Sequence, residues 1–180
     1  MEIEHEAKVL EIDPEGTAAA ILALGGVDHG EVLQRRYVYD TCPPVTGKWV
    51  RLRDAGGRAT LAVKHIRHDG IDGTDEAEVA VGDFESAAAV LAAAGLTPNG
   101  YQENRRHSFT LDKVRLEIDS WPMIPPYLEI EADTPEEVTA TAHRLGYPPE
   151  SLTSENTTKV YARYGIDLTS LPVVKFHLSS

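Results

Sequence analysis

The 180 residues predict an α+β protein built on antiparallel strands, with helices covering the apolar face of the sheet. Three stretches of helical spacing open on capping residues and stop at glycine, while eight stretches between them alternate apolar and polar residues two apart. The turns between neighbouring stretches, such as Ala55-Gly56-Gly57 and Leu111-Asp112, are too short for parallel crossovers and favour hairpins.

The first strand is expected over residues 2–12. Asp13-Pro14-Glu15 then supplies an N-cap, a proline at the first helical position and an acid in the first turn, and the alanine and leucine run that follows stops at Gly25-Gly26. Strands are read over 32–41, 48–54, 58–66 and 74–81. Asp83 caps a second helix, in which Phe84, Ala88, Leu91 and Ala92 recur at helical spacing before Gly95. Strands over 101–110, 113–120 and 127–132 complete the eight. Thr134-Pro135-Glu136-Glu137 is a capping-box pattern for a third helix, with Val138, Ala142 and Leu145 on one side and Gly146 after it. Beyond Tyr147 the pattern thins to a short helix near 157–164 and an extended tail; no linker divides the chain, so 1–180 reads as one domain.

Hydrophobic residues at 42% and charged residues at 26% are globular composition. No apolar run reaches membrane-spanning length and the N-terminus opens with acids, which makes the cytoplasm the expected compartment. Cys42 is the single cysteine and has no partner for a disulfide or a zinc pair. A formal net charge of -12 disfavours general adhesion to nucleic-acid backbones. It leaves room for a local cationic cavity inside an acidic exterior.

Residues two apart in a strand share a face. Sorted this way, Glu4, Glu6 and Lys8 fall together, as do Arg51 with Arg53, Thr60 with Lys64, Glu76 with Glu78, Arg115 with Glu117 and Asp119, and Glu129 with Glu131. The opposite parity carries Leu52, Leu61, Val63, Val79, Val114, Leu116, Ile118, Leu128 and Ile130. An open sheet with one solvated charged face fits this pattern. So does an eight-stranded barrel with both signs of charge inside and helices outside, wide enough for one small ligand. Repeated like charges two apart on several strands repel, which calls for counterions. A polyanion would meet the Arg and Lys, and divalent cations would meet the carboxylates; a metal-bound oligophosphate does both.

Glu4-His5-Glu6-Ala7-Lys8 has the form ExExK, and the chain resembles the CYTH, or triphosphate tunnel metalloenzyme, superfamily. The resemblance continues through Tyr39-Asp40-Thr41, Arg51-Leu52-Arg53, Thr60 to Lys64, Glu76-Ala77-Glu78, Arg106 with Phe109, Glu117-Ile118-Asp119 and Leu128 to Glu131, with Lys159 as a late basic residue. It implies an eight-stranded antiparallel tunnel with a charged interior that binds a triphosphate and uses Mg²⁺ or Mn²⁺ for hydrolysis or nucleotidyl cyclisation. By position it implies catalytic roles for Glu4, Glu6 and Lys8. Metal ligation would fall to Glu4, Glu6, Glu129 and Glu131, with Glu76, Glu78, Glu117 and Asp119 as further ligands or water-orienting groups. Lys8, Arg51, Arg53, Lys64, Arg106, Arg115 and Lys159 would hold phosphate oxygens.

Those roles suit the residue types. Mg²⁺ takes one or two carboxylates with waters and substrate phosphates, arginine forks grip phosphate in a bidentate way, and lysine offers a compact charge. Two departures from the resemblance stand out: Arg36 occupies a position where the family segment often has an acid, and Asn104 one where it often has lysine. The His-Phe pair that class IV adenylyl cyclases often carry upstream of ExExK has no counterpart here, because only three residues precede Glu4. A triphosphatase acting on tripolyphosphate or a small organic triphosphate is therefore expected first, a class IV type cyclase second, and a non-catalytic nucleotide or polyphosphate binder third. A small-molecule triphosphate is the expected partner, with no nucleic acid and no membrane; a homodimer is compatible with the sequence.

His5 has the opposite parity to Glu4 and Glu6 and should point away from the tunnel. His65 and His68 fall at a hairpin end, and no HExxH or paired histidine motif supports zinc. Residues 121–126, Trp-Pro-Met-Ile-Pro-Pro, form a rigid apolar loop that packs or walls the tunnel entrance, a role open also to Tyr37, Tyr39 and Tyr127.

Overall fold

A computed structural model of the chain describes residues 2–176. The main elements in order are β1 (Glu2–Val9), α1 (Pro14–Ala23), β2 (Val27–Val45), β3 (Lys48–Ala55), β4 (Ala59–Ile66), β5 (Thr74–Val81), α2 (Phe84–Ala93), β6 (Gly100–Leu111), β7 (Val114–Ser120), β8 (Tyr127–Ala132) and α3 (Pro135–Arg144). A C-terminal stretch adds β9 (Leu152–Thr153), α4 (Thr157–Arg163) and β10 (Val173–Val174). Among the described residues no helix is long and apolar enough to cross a membrane.

The strands run antiparallel in the order β1-β5-β4-β3-β2-β6-β7-β8, and β8 pairs with β1 again. The sheet is thus a closed eight-stranded barrel, and closure removes the free edges that an open sheet would present. This decides between the two arrangements the parity allowed. Register brings opposite charges face to face: Lys64 pairs with Glu76 across β4 and β5, and Arg106 with Asp119 across β6 and β7. Where β5 leaves β1 after Glu4, β9 takes up the same strand at Lys8 and Val9. Parallel to β6, β10 pairs at Tyr101 and Gln102.

Each of the three long helices starts at the cap read from its sequence. The side chains of Asp13, Asp83 and Thr134 accept hydrogen bonds from the backbone N–H of Gly16, Ser86 and Glu137. α1 and α3 lay Ile21, Val138 and Ala142 over Ala7, Leu116, Ile118, Leu128 and Ile130. α2 lays Phe84 against Tyr39 and Leu52 on the β2–β4 side. The apolar parity therefore lies outside, mostly under helices, while Val79 on β5 stays exposed. A separate cluster joins Trp121, Ile124 and Tyr127 to Val160, Tyr161 and Leu168, with the Tyr161 hydroxyl donating to the Pro122 carbonyl at 2.7 Å. The C-terminal stretch is anchored there.

β1 and β2 differ most from the sequence reading. β1 stops at Val9 because the backbone turns at Glu11, whose φ is 57°. β2 is 19 residues long, starting at Val27 and running through Cys42, Pro43 and Pro44, beyond the 32–41 expected at both ends. Bulges explain the difference: the β2–β3 register jumps between Asp40 and Val45, so the prolines sit outside the ladder where no N–H is needed. A second irregularity between Asp28 and Glu31 in the β2–β6 pairing is turned by Gly30 at φ +86°.

Candidate functional site

Closing the barrel turns the charged parity of every strand inward around a cavity of about 1160 Å³. β1 contributes Glu4, Glu6 and Lys8; β3 Arg51 and Arg53; β4 Thr60 and Lys64; β5 Glu76 and Glu78; β6 Arg106; β7 Arg115 and Glu117; β8 Glu129 and Glu131. Lys8, a long cation that rarely buries, is only 2% exposed, and Arg51 9%. Such burial requires paired charge.

The ion pairs form two walls. On one, Arg51 Nη2 reaches Glu76 at 2.8 Å and Glu78 at 3.0 Å, Arg53 joins Glu78 at 3.2 Å, and Lys64 bridges Glu4 at 2.8 Å and Glu76 at 3.4 Å. On the other, Lys8 lies 3.0 Å from Glu6 and 3.2 Å from Glu129. Arg106 pairs there with Asp119 at 2.6 Å, with Glu129 at 3.1 Å and with Glu117. Arg115 pairs with Glu131.

This crowding moves the titration of several groups. Burial first, then a hydrogen bond with Glu76, pushes the Glu4 carboxyl up to about 8. Burial would raise Glu76 as well, but the Glu4 hydrogen bond and the Lys64 and Arg51 charges override it and hold Glu76 at about 2. One proton is thus shared unequally between two facing acids. Burial opposes the charge on Lys8, yet Glu6 and Glu129 raise it well above the ordinary lysine range. Arg53 is brought down to about 10 by burial and by Arg51 and Arg106.

Two of the residues expected in the site lie elsewhere. Asp119 is fully buried behind the lining, where it accepts hydrogen bonds from Arg106 and from Asn104 at 2.8 Å; it positions Arg106 and does not face the cavity. Lys159, on α4, is off the lining and binds Asp69 at 2.5 and 2.6 Å on an exposed face. Arg115 borders the tunnel with its side chain 62% exposed, so it belongs to a mouth and not to the buried interior.

Arg36 is the main lining residue absent from the expected set. It is 7% exposed, lies over the Trp121 ring at 4.7 Å, and is held by Gln34 Oε1 at 3.1 Å and by Asn104 Oδ1. The same parity rule would have found it, since Gln34, Arg36, Val38 and Asp40 alternate with Tyr37 and Tyr39 and all line the tunnel. Trp121 and Tyr127 line the cavity as well.

Among the described residues, no three acidic, histidine or cysteine side chains converge as a ready metal cage. A Mg²⁺ or Mn²⁺ ion that takes one or two carboxylates and completes its shell with water and phosphate needs no such cage. Glu4 Oε2 is buried with Lys64 Nζ as its ion-pair partner at 2.8 Å, and Glu4, Glu6 and Glu76 supply the hard oxygens such an ion prefers. The donor set fits.

The sequence pattern of the CYTH domain matches residues 2–155. The chain belongs to the CYTH family. Solved structures share the fold of this CYTH domain at low sequence identity. The PH1012 protein of Pyrococcus horikoshii is 24% identical with a TM-score of 0.74, covering 86% of this chain and 96% of its own. An adenylate cyclase candidate from Vibrio parahaemolyticus is 15% identical with a TM-score of 0.75, covering 89% and 98%. The adenylyl cyclase candidate HpAC1 of Hippeastrum, described as having a dominant triphosphatase activity, is 18% identical with a TM-score of 0.63, covering 92% and 96%. No curated protein matches the chain.

Proposed function

We propose that this CYTH domain is a triphosphatase that binds inorganic tripolyphosphate or a small organic triphosphate in its tunnel and hydrolyses it with Mg²⁺ or Mn²⁺. The closed barrel that buries arginine and lysine side chains against carboxylates is the observation that supports it most directly. The triphosphatase activity described for HpAC1 agrees with this reading.

In this reading Lys8, Arg51, Arg53, Lys64 and Arg106 exchange carboxylate partners for phosphate oxygens as the chain enters. Charge-assisted and bidentate bonds of that kind hold the phosphates and stabilise charge on the transferring group. Carboxylates released from those cations, Glu4 and Glu76 first, become available to hold the metal. Such an ion would supply neutralisation of phosphate charge and acidification of water. Glu4 and Glu6, on the cavity lining, orient the attacking water toward the phosphorus. A new water-oxygen bond to phosphorus forms while the bridging P–O bond breaks, a carboxylate takes the water's proton, and orthophosphate leaves with pyrophosphate from tripolyphosphate or with the organic diphosphate from an organic triphosphate.

The test is product analysis with tripolyphosphate, ATP and thiamine triphosphate, each with Mg²⁺ or Mn²⁺. Orthophosphate is expected. Cyclic AMP with pyrophosphate from ATP would replace hydrolysis by cyclisation, and binding without product would leave a binding module.

A further inference from the structure

Three buried N–H donors in the tunnel wall have no acceptor: Arg36 Nε, Arg51 Nε and Trp121 Nε1. Their residues are 7%, 9% and 4% exposed, and all three line one cavity. Leaving a buried donor unsatisfied costs its full desolvation penalty, so folded proteins keep few of them and seldom gather them without a use.

Arg36 also differs from its neighbours in charge. Lys8, Arg51, Arg53, Lys64 and Arg106 each have a carboxylate partner, whereas among the described residues Arg36 has none within ion-pair distance. Its guanidinium is nevertheless fixed, by Gln34 and Asn104 at Nη2 and by the Trp121 ring beneath it. Burial and the charges of Arg51, Arg106 and Arg53 pull it down to about 9, the signature of a cation among cations. An anion with several acceptor oxygens supplies the acceptors these donors lack and offsets that repulsion. A divalent cation does neither.

We propose that Arg36, Arg51 and Trp121 form a phosphoryl-binding pocket that works without metal and seats the end of a linear phosphate chain. The pocket deepens the reading of the tunnel as a phosphate site and rests on it. Arg36 and Trp121 bring no carboxylate to it, and Arg51, whose Nη2 is paired with Glu76 and Glu78, brings its unpartnered Nε. Arg36 accordingly acts as a further binding residue for the phosphate chain, beyond the lysines and arginines that pair with carboxylates.

Isothermal titration in EDTA tests this with orthophosphate, pyrophosphate and tripolyphosphate as probes. The parent protein is expected to bind tripolyphosphate without metal, and Arg36→Gln to weaken that binding at least tenfold. Trp121→Phe, which keeps the ring and removes the N–H, should weaken it severalfold, and Arg36→Lys should fall between the parent and Arg36→Gln. Circular dichroism confirms folding; if Arg36→Gln does not fold, the other two variants carry the test. Orthophosphate binding with the same dependence on Arg36 extends the pocket to released product. Unchanged tripolyphosphate affinity in the variants, or no binding by the parent in EDTA, overturns the pocket. Hydrolysis assayed separately with Mn²⁺ keeps that failure distinct, because a parent that binds but yields no product refutes the triphosphatase reading and leaves the pocket standing.

Discussion

Glu4 and Glu76 share a proton on one wall of the tunnel, and that fixes how the metal-free protein responds to pH. The folded-state value of Glu4 is raised to about 8 from an ordinary 4.5. Across that window the folded chain keeps a proton that the unfolded chain has released, so stability falls as pH rises from 4.5 toward 8. Glu76, held at about 2, acts in the opposite sense, but its contribution is complete once pH exceeds 4.5. Burial raises Glu117 and Glu131, which adds to the fall. The Tm of EDTA-treated protein should therefore drop between pH 5 and pH 8, and Glu4→Gln should flatten the slope. Mn²⁺ should restore more stability at pH 8, where the carboxylate is free, than at pH 5. A Glu4→Gln profile parallel to the parent would refute the assignment. For turnover, Glu4→Gln or Glu6→Gln should lower kcat by about 10² or more with the fold retained, since each keeps side-chain size and removes an anionic oxygen at the reacting centre. Parental kcat in either variant refutes those roles. Strand parity made these residues legible, because alternation assigns a side chain to the inside without any contact being known. It could not show depth: Asp119 shares the parity of Glu117 yet is buried behind Arg106.

At the scale of elements, caps and glycine stops located the helices, because an N-cap is a local hydrogen bond that the nearby sequence specifies. Asp83 is a clear instance, accepting from Ser86 N at 2.6 Å to start α2 on the outer face of the barrel. Asp83→Ala should cost about 1 kcal/mol in denaturant unfolding while kcat stays at the parent value, since α2 packs on Leu52 and Tyr39 and not on the lining. A loss of activity without loss of stability would show that the outer helix sets the tunnel geometry. The strand ends were less legible. β2 extends through Pro43 and Pro44 because bulges excuse them from the ladder, and its long pairing with β6 is a tertiary fact without a local signature. Lys159 was misplaced for a similar reason. On the short α4, direction depends on how the C-terminal stretch docks on Trp121 and Tyr127, and that docking turns the lysine to Asp69.

For the molecule as a whole, the net charge of -12 and the cationic groups inside the tunnel pull in opposite directions on an approaching polyanion. Range decides which dominates. At about 0.01 M salt the Debye length is roughly 30 Å, so an incoming triphosphate is repelled by the exterior as a unit; at 0.15 M the length is about 8 Å and most of that repulsion is screened. The cavity, about 1160 Å³, is itself on the order of 10 Å across, so its arginines and lysines still act on an anion at the mouth, and buried pairs are screened much less than exposed charges. At fixed free metal, kcat/KM for tripolyphosphate should consequently rise severalfold as salt increases from about 0.01 M to 0.15 M, and fall toward 1 M, where a Debye length of about 3 Å begins to screen the tunnel mouth too. A protein whose exterior attracted phosphate would lose affinity from the lowest salt onward. Stopped-flow or initial-rate measurements across that range distinguish the two, and a monotonic fall would mean that the tunnel's field, and not the acidic exterior, governs the approach.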